Sequence, residues 1–106
     1  MIKLKNIQIG KTTRPVVVAE MSGNHNQSLD RALKIVEAAA KNGAKMLKLQ
    51  TYTADTMTIN SNKKDFYISD KKSLWYGKNL YQLYKTSYTP WAWHAKIKKK
   101  CDQLGI

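Results

Sequence analysis

The side chains able to do chemistry fall into two clusters. One is Glu20 with Asn24, His25 and Asn26; the other is Lys48, Gln50, Thr51 and Tyr52. A carboxylate such as Glu20 can act as a base, a metal partner or a clamp on substrate hydroxyls. An imidazole can ligate a metal or move a proton. No partner ligand stands at a zinc-like spacing from His25, which favours a hydrogen-bonded loop residue. Lys48 sits in an apolar stretch, where a buried ammonium is costly unless an anion pairs with it. Lys48 and Gln50 are two residues apart, so on a strand both point to one side. There the ammonium would hold a phosphate or carboxylate as a point charge, and the amide would donate and accept hydrogen bonds. Plainer readings stand beside these. Glu20 is a charge at a strand end that faces water, and Lys48 is a salt-bridge partner of Glu20 across neighbouring strands with no ligand. The salt bridge and the ligand site are compatible, because substrate can open a pair that is structural in the empty protein.

These groups need a frame to position them. Val16 to Ala19 is β-branched and apolar on both faces, as a strand buried on both sides of a parallel sheet would be. Glu20 follows at its carboxyl end, and Met21 to Gln27 is a polar loop. Ser28 is a suitable N-cap for a helix over Leu29 to Asn42, with Asp30 in its first turn. Leu29, Ala32, Leu33, Val36, Ala39 and Ala40 make one apolar face, and Gly43 is the stop. Ala44 to Gln50 reads as a second strand interrupted by Lys48. Val16 to Gln50 is therefore one βαβ unit, expected to be right-handed. Before it, Ile2 to Ile9 alternates weakly as a short, hairpin-like β-segment ended by Gly10.

Beyond this unit the pattern weakens. Thr51 to Lys78 is long, polar and aperiodic, although it carries Tyr52, Phe66, Tyr67, Trp75 and Tyr76. A loop of that length in a compact domain is usually functional or disordered. Leu80 to Tyr84 starts a short helix. Thr89-Pro90 looks like an N-cap with proline at the first helical position, opening a helix to about Gln103. Its buried face would be Trp91, His94, Ile97 and Cys101, with lysines opposite and Gly105 as its stop. A parallel α/β fold would next enter another strand. Two βα units leave sheet edges and apolar surface open, so the reading favours the N-terminal portion of a longer protein.

Composition narrows the function class. The charge is +12, from 19 basic and 7 acidic residues, which suits phosphorylated metabolites, anionic lipid or nucleic acid. Almost all of the excess is lysine, with Arg14 and Arg31 the sole arginines. Specific phosphate and base recognition leans on arginine forks. A basic nucleic-acid-binding module is therefore the alternative of another class, not the leading reading. Hydrophobic residues at 42% and charged residues at 25% fit a globular chain rather than a disordered one. The single cysteine, Cys101, excludes an internal disulfide and suits a reducing compartment. No run is apolar enough to span a membrane, and no signal peptide is expected at the start.

The motifs also occur in a fixed order. Ala19-Glu20-Met21-Ser22-Gly23-Asn24-His25-Asn26 is followed by Leu47-Lys48-Leu49-Gln50-Thr51-Tyr52-Thr53-Ala54-Asp55-Thr56-Met57-Thr58. Asp65-Phe66, Leu74-Trp75, Gly77, Leu80-Tyr81, Leu83-Tyr84, Thr89-Pro90-Trp91 and Trp93-His94 then extend the series. This series resembles the N-acetylneuraminate (sialic acid) synthase family, with its pseudaminic acid branch nearest and the neuraminate or legionaminate branch as runner-up. Ordered motifs over almost the whole chain are far more specific than one short pattern.

The resemblance implies an α/β fold: the N-terminal portion of a (β/α)8 TIM barrel, about two βα units long. The C-terminal antifreeze-like domain of the family is absent from residues 1–106. It implies a transferase of the cytoplasm that joins phosphoenolpyruvate to an acetamido sugar, forming a nonulosonic acid. The cofactor implied is a divalent metal, Mn or Mg, with ligands outside this chain. The full-length family members are homodimers. By resemblance Glu20 is the catalytic residue, at the metal and the sugar aldehyde. Lys48 binds phosphoenolpyruvate and Gln50 contacts the sugar side, with Asn24 and Tyr52 as further substrate-binding candidates. The 106 residues alone are expected to be inactive. Two departures matter. Gln27 stands where the family commonly has Gly, and Ala92 where the branch commonly has an acidic residue.

Overall fold

The computed structural model describes all 106 residues as a mixed α/β chain with two small, separate sheets. Strands β1 (Ile2–Leu4) and β2 (Ile7–Ile9) pair antiparallel, with Leu4 opposite Ile7. The expected β-segment is thus a true hairpin, reversed at Lys5, whose φ of 50° lies in the left-handed region. Strand β3 (Val18–Glu20) leads through the polar loop to helix α1 (Leu29–Lys41), and strand β4 (Met46–Lys48) returns parallel to β3. The register sets Val18, Ala19 and Glu20 against Met46, Leu47 and Lys48. This is the βαβ unit that the sequence predicts.

Local chemistry explains its ends. Ser28 Oγ accepts the backbone N–H of Arg31 at 3.2 Å, capping α1. Asn42 closes the helix, and Gly43 turns the chain at a φ of 90°, where a Cβ is disfavoured. The periodic face works as expected: Ala32 and Val36 are buried, flanked by Leu29, Leu33 and Ile35. The strand prediction needs correction. Val17 and Val18 are 59% and 49% exposed, not covered on both faces. Each strand has one neighbour, and α1 and the C-terminal helix supply the packing, so the outer edges of β3 and β4 stay open.

The long loop is partly ordered by short helical turns. Thr53 and Thr56 form a reciprocal capping box around α2 (Ala54–Met57), and a 3-10 turn covers Lys64–Phe66. Asn79 and Gln82 form a second capping box that starts α3 (Leu80–Ser87), three residues longer than expected. The N-cap assigned to Thr89 is not formed. Pro90 is extended, with ψ 136°, and a 3-10 turn (Trp91–Trp93) precedes α4 (His94–Leu104). Thr89 instead gives its backbone N–H to the Gln50 carbonyl at 2.8 Å. The late start rotates the helix face: Ile97 and Cys101 are buried as expected, whereas Trp91 and His94 are exposed and Trp93 packs inward. Gly105 ends α4 in the left-handed region, as expected.

The core is small. Met21, Ala32, Val36, Ile97 and Cys101 form it where α1 and α4 meet under β3 and β4. Ten of 106 residues are buried, so each core contact is a large share of a marginal stability. Lys100 of α4 pairs with Glu37 of α1 across the helix contact. No helix is long and apolar enough to cross a membrane.

Candidate functional site

The parallel register is what brings the two clusters together. It puts Glu20 and Lys48 side by side at the carboxyl ends of β3 and β4. Lys48 Nζ donates to Glu20 Oε2 at 3.2 Å, and Gln50 Nε2 donates to Glu20 Oε1 at 2.5 Å. Both carboxylate oxygens are engaged. The bond from Gln50 and then the bond and charge of Lys48 hold the Glu20 carboxyl below its ordinary pKa, so it is ionised at neutral pH. One sequence premise fails: the Lys48 side chain is 59% exposed, not buried. The strand carries no second layer on that side to cover it. The salt-bridge reading of Lys48 and Glu20 is therefore realised, in a form open to solvent and to a competing anion.

The backbone beneath is well tied. Met21 donates its N–H to the Lys48 carbonyl at 3.0 Å, carrying the ladder one step past the strand end. Gln50 is fixed through its carbonyl by Thr89, and Thr51 Oγ1 lies 2.6 Å from His94 Nε2. The last contact escapes sequence reading, which assigns His94 to the buried face of its helix.

The polar loop after Glu20 is built around His25. The ring is fully buried and meets Trp93 edge-on, with centroids 5.1 Å apart. Its Nδ1 accepts the backbone N–H of Gln27 at 3.0 Å, which puts the ring proton on Nε2, where it has no protein partner. Burial pushes the His25 pKa down, so the ring is held neutral. Gln27, where a glycine was the family expectation, has a φ of 58°. It keeps this left-handed conformation through His25 and through its own Nε2, which donates to the Tyr88 carbonyl at 2.7 Å. Gly23 makes the close approach on the same side, since a Cβ there would lie 3.1 Å from the Ser87 carbonyl oxygen.

The remaining candidates are placed apart from the carboxylate. Asn24 uses its Nδ2 to cap the Met21 carbonyl at 2.9 Å, within its own loop. Tyr52 is half-buried among aromatic rings, edge-on to Tyr84 at 5.7 Å and tilted against Tyr88 at 6.3 Å. It lines a cleft of about 480 Å³ that also takes in Ala92, the second departure noted above. No three His, Cys, Asp or Glu side chains of this chain converge as metal ligands. The one carboxylate in the cluster already has protein donors on both oxygens, so these residues by themselves do not make a fitting divalent-metal site.

Comparison with known proteins adds the context. The profile described as the NeuB family matches residues 35–106, taking in Lys48, Gln50 and Tyr52 but not Glu20 or Asn24. A pseudaminic acid synthase of Campylobacter jejuni is 47% identical over 90 residues, which is 85% of this chain and 26% of that protein. A pseudaminic acid synthase of Helicobacter pylori is 46% identical over 92 residues, covering 87% of this chain and 26% of the relative. An N,N'-diacetyllegionaminic acid synthase of Legionella pneumophila is 29% identical over 97 residues, 92% of this chain and 27% of that protein. The chain thus spans about a quarter of the length of the curated relatives it matches.

Proposed function

The chain belongs to the NeuB family, and on that premise we propose that it supplies the Glu20–Lys48–Gln50 part of an active site that condenses phosphoenolpyruvate with an acetamido sugar. The product would be a nonulosonic acid of the pseudaminic type. Identities of 46–47% to two pseudaminic acid synthases, against 29% to a legionaminic acid synthase, favour that branch. The observation that carries the reading is the exposed ammonium of Lys48, fixed at a strand end by an ionised Glu20.

In this reading a phosphate or carboxylate of phosphoenolpyruvate displaces the Glu20 carboxylate from Lys48. The exchange is inexpensive because both groups already touch solvent. Gln50 keeps its hydrogen bond to Glu20 and orients the carboxylate freed on one side. Glu20 then faces the sugar, where it accepts a hydrogen bond from a hydroxyl or takes a proton. In the reaction the methylene carbon of phosphoenolpyruvate forms a carbon–carbon bond to the sugar aldehyde carbon, whose oxygen gains a proton. Water adds at the neighbouring cationic carbon, and phosphate leaves with its bridging oxygen. With both Glu20 oxygens bonded by Lys48 and Gln50, these residues by themselves do not fit the expected divalent metal.

The remaining barrel strands, the homodimer and a cytoplasmic location belong to the same proposal. The test is phosphoenolpyruvate affinity in the full-length synthase. Lys48→Ala is expected to weaken it about tenfold or more, the loss of one charge-assisted contact. An unchanged affinity would remove Lys48 from the site. The 106 residues alone are expected to release phosphate only at background.

A further inference from the structure

The polar loop after Glu20 holds a conformation that one of its residues disfavours. Asn26 and Gln27 stand in the left-handed region one after the other, at φ 47° and 58°. Asparagine enters that region readily, whereas glutamine does so only under strain. Such strain persists where the surroundings over-determine it, and it clusters beside functional groups. Two bonds of Gln27 oppose it. The first, from its backbone N–H to His25 Nδ1, is open to glycine as much as to glutamine. The second, from Nε2 to the Tyr88 carbonyl, is what the glutamine side chain adds. It spans 61 positions and ties the loop to the extended connection after α3. Gly23 and Ser87 bring the same two segments into contact, with little room for a Cβ at Gly23.

The tie leads to the carboxylate cluster. One peptide group, between Tyr88 and Thr89, accepts from Gln27 through its C=O and donates to the Gln50 carbonyl through its N–H, at 2.7 and 2.8 Å. Bonds on both sides of one peptide polarise and strengthen each other. The Tyr88 ring also lies tilted against Tyr52, two residues past Gln50. The chain leaving β4 is thus gripped at two points by a short segment that Gln27 holds in place. Gln50 in turn donates to Glu20 Oε1. We propose that Gln27 is a positioning residue for this cluster: through the Tyr88–Thr89 peptide it fixes the Gln50 backbone, and so the reach of the Gln50 amide to Glu20. Its own bonds go to His25 and Tyr88, not to Glu20 or Lys48. The tie counts when Lys48 takes up an anion. Glu20 then leaves the ammonium and keeps one donor, Gln50. An amide free to drift leaves that carboxylate unpaired beside a second anion, which opposes binding. The inference rests on the proposed capture of phosphoenolpyruvate by Lys48.

The test is calorimetric titration of the full-length protein with phosphoenolpyruvate. The variants are Gln27→Met, Gln27→Gly, Gln50→Ala, and Gln27→Met combined with Gln50→Ala. Neither methionine nor glycine can donate to Tyr88, and neither adds charge. Methionine keeps the strained φ whereas glycine adopts it freely, so the glycine variant should melt at the higher temperature of the two. Both are nonetheless expected to weaken phosphoenolpyruvate binding about threefold, the loss of one positioned hydrogen bond. In the Gln50→Ala background Gln27→Met should add nothing further, since the group it positions is gone. Without phosphoenolpyruvate, both Gln27 variants should shift and broaden the side-chain amide NMR signal of Gln50, identified by its loss in Gln50→Ala. Where Lys48→Ala weakens binding, three outcomes overturn the proposal: affinity unmoved by the Gln27 variants, affinity that follows their melting temperatures, or full additivity with Gln50→Ala. An unmoved Gln50 amide signal overturns it in every case. If Lys48→Ala leaves affinity unchanged, the phosphoenolpyruvate site falls, and the amide signal still decides the Gln27 tie.

Discussion

The Glu20–Lys48–Gln50 cluster and the buried loop that follows it treat polar groups in opposite ways. In the cluster every carboxylate oxygen has a donor, yet the Glu20 and Lys48 side chains are 39% and 59% exposed. A residue further on, the chain dives inward at Met21 and buries His25 completely. His25 Nε2 and the equally buried Thr89 Oγ1 have no protein partner. Globular proteins usually do the reverse, bonding what they bury. The difference separates two tasks. Exposed, bonded groups add little to stability and exchange partners readily, which suits a ligand site. The buried, underbonded groups cost stability but fix the backbone of the loop beside that site.

The contrast can be broken by mutation, and the largest effect should fall in the packing under the loop. Ile97→Ala removes a side chain that is 2% exposed from a five-residue core. It is expected to cost about 2–5 kcal/mol, read from the urea midpoint. Lys48→Ala should leave that midpoint within error. An equal loss from both would erase the distinction.

An intermediate effect is expected from pH. Burial lowers the His25 pKa in the folded chain below its usual 6.5, so the unfolded chain binds the proton first. Stability should therefore be full above about pH 6.5 and fall as the pH drops below it. Protonation of Nδ1 would also displace the Gln27 N–H. Thermal melts from pH 7.5 to 5 read this slope, and His25→Gln should flatten it. Glu20 acts in a lower window: its pKa is held below its usual 4.5, so its contribution is lost only as the pH falls under that value.

The smallest effect is a gain. Thr89→Val removes a buried hydroxyl that has no protein partner while keeping the backbone bond to Gln50. It is expected to raise stability by about 1 kcal/mol, measured by the same urea titration. A loss would show that the hydroxyl is satisfied in solution.

Much of the frame was legible in the sequence. Helix α1 followed from Ser28, the periodic apolar face and Gly43, because local propensity and packing agree there. The pairing of Glu20 with Lys48 was legible as one of two readings, since a lysine in an apolar strand demands a partner. Exposure was not legible, because it depends on which layers cover a strand rather than on the strand's own residues. The late start of α4 was missed because Thr89-Pro90 carries a start signal that the tie to Gln50 overrides. Asn79 and Gln82 spelled a capping box that would have placed Tyr81 and Lys85 on one face of α3. The cleft they line with Tyr52 needs Asp55 and Trp91 from distant segments, and no local pattern announces that meeting.

The open outer edges of β3 and β4 have a colloidal consequence. Within these 106 residues each presents unpaired backbone groups on which a further strand can pair. Two copies of these residues repel each other through the net charge of +12, which acts at longer range than a hydrogen bond. Its reach is about 30 Å at 0.01 M salt and about 8 Å at 0.15 M. Ionic strength thus governs how often two chains collide edge to edge, and the lysine-rich surface serves as a salt-sensitive spacer between them.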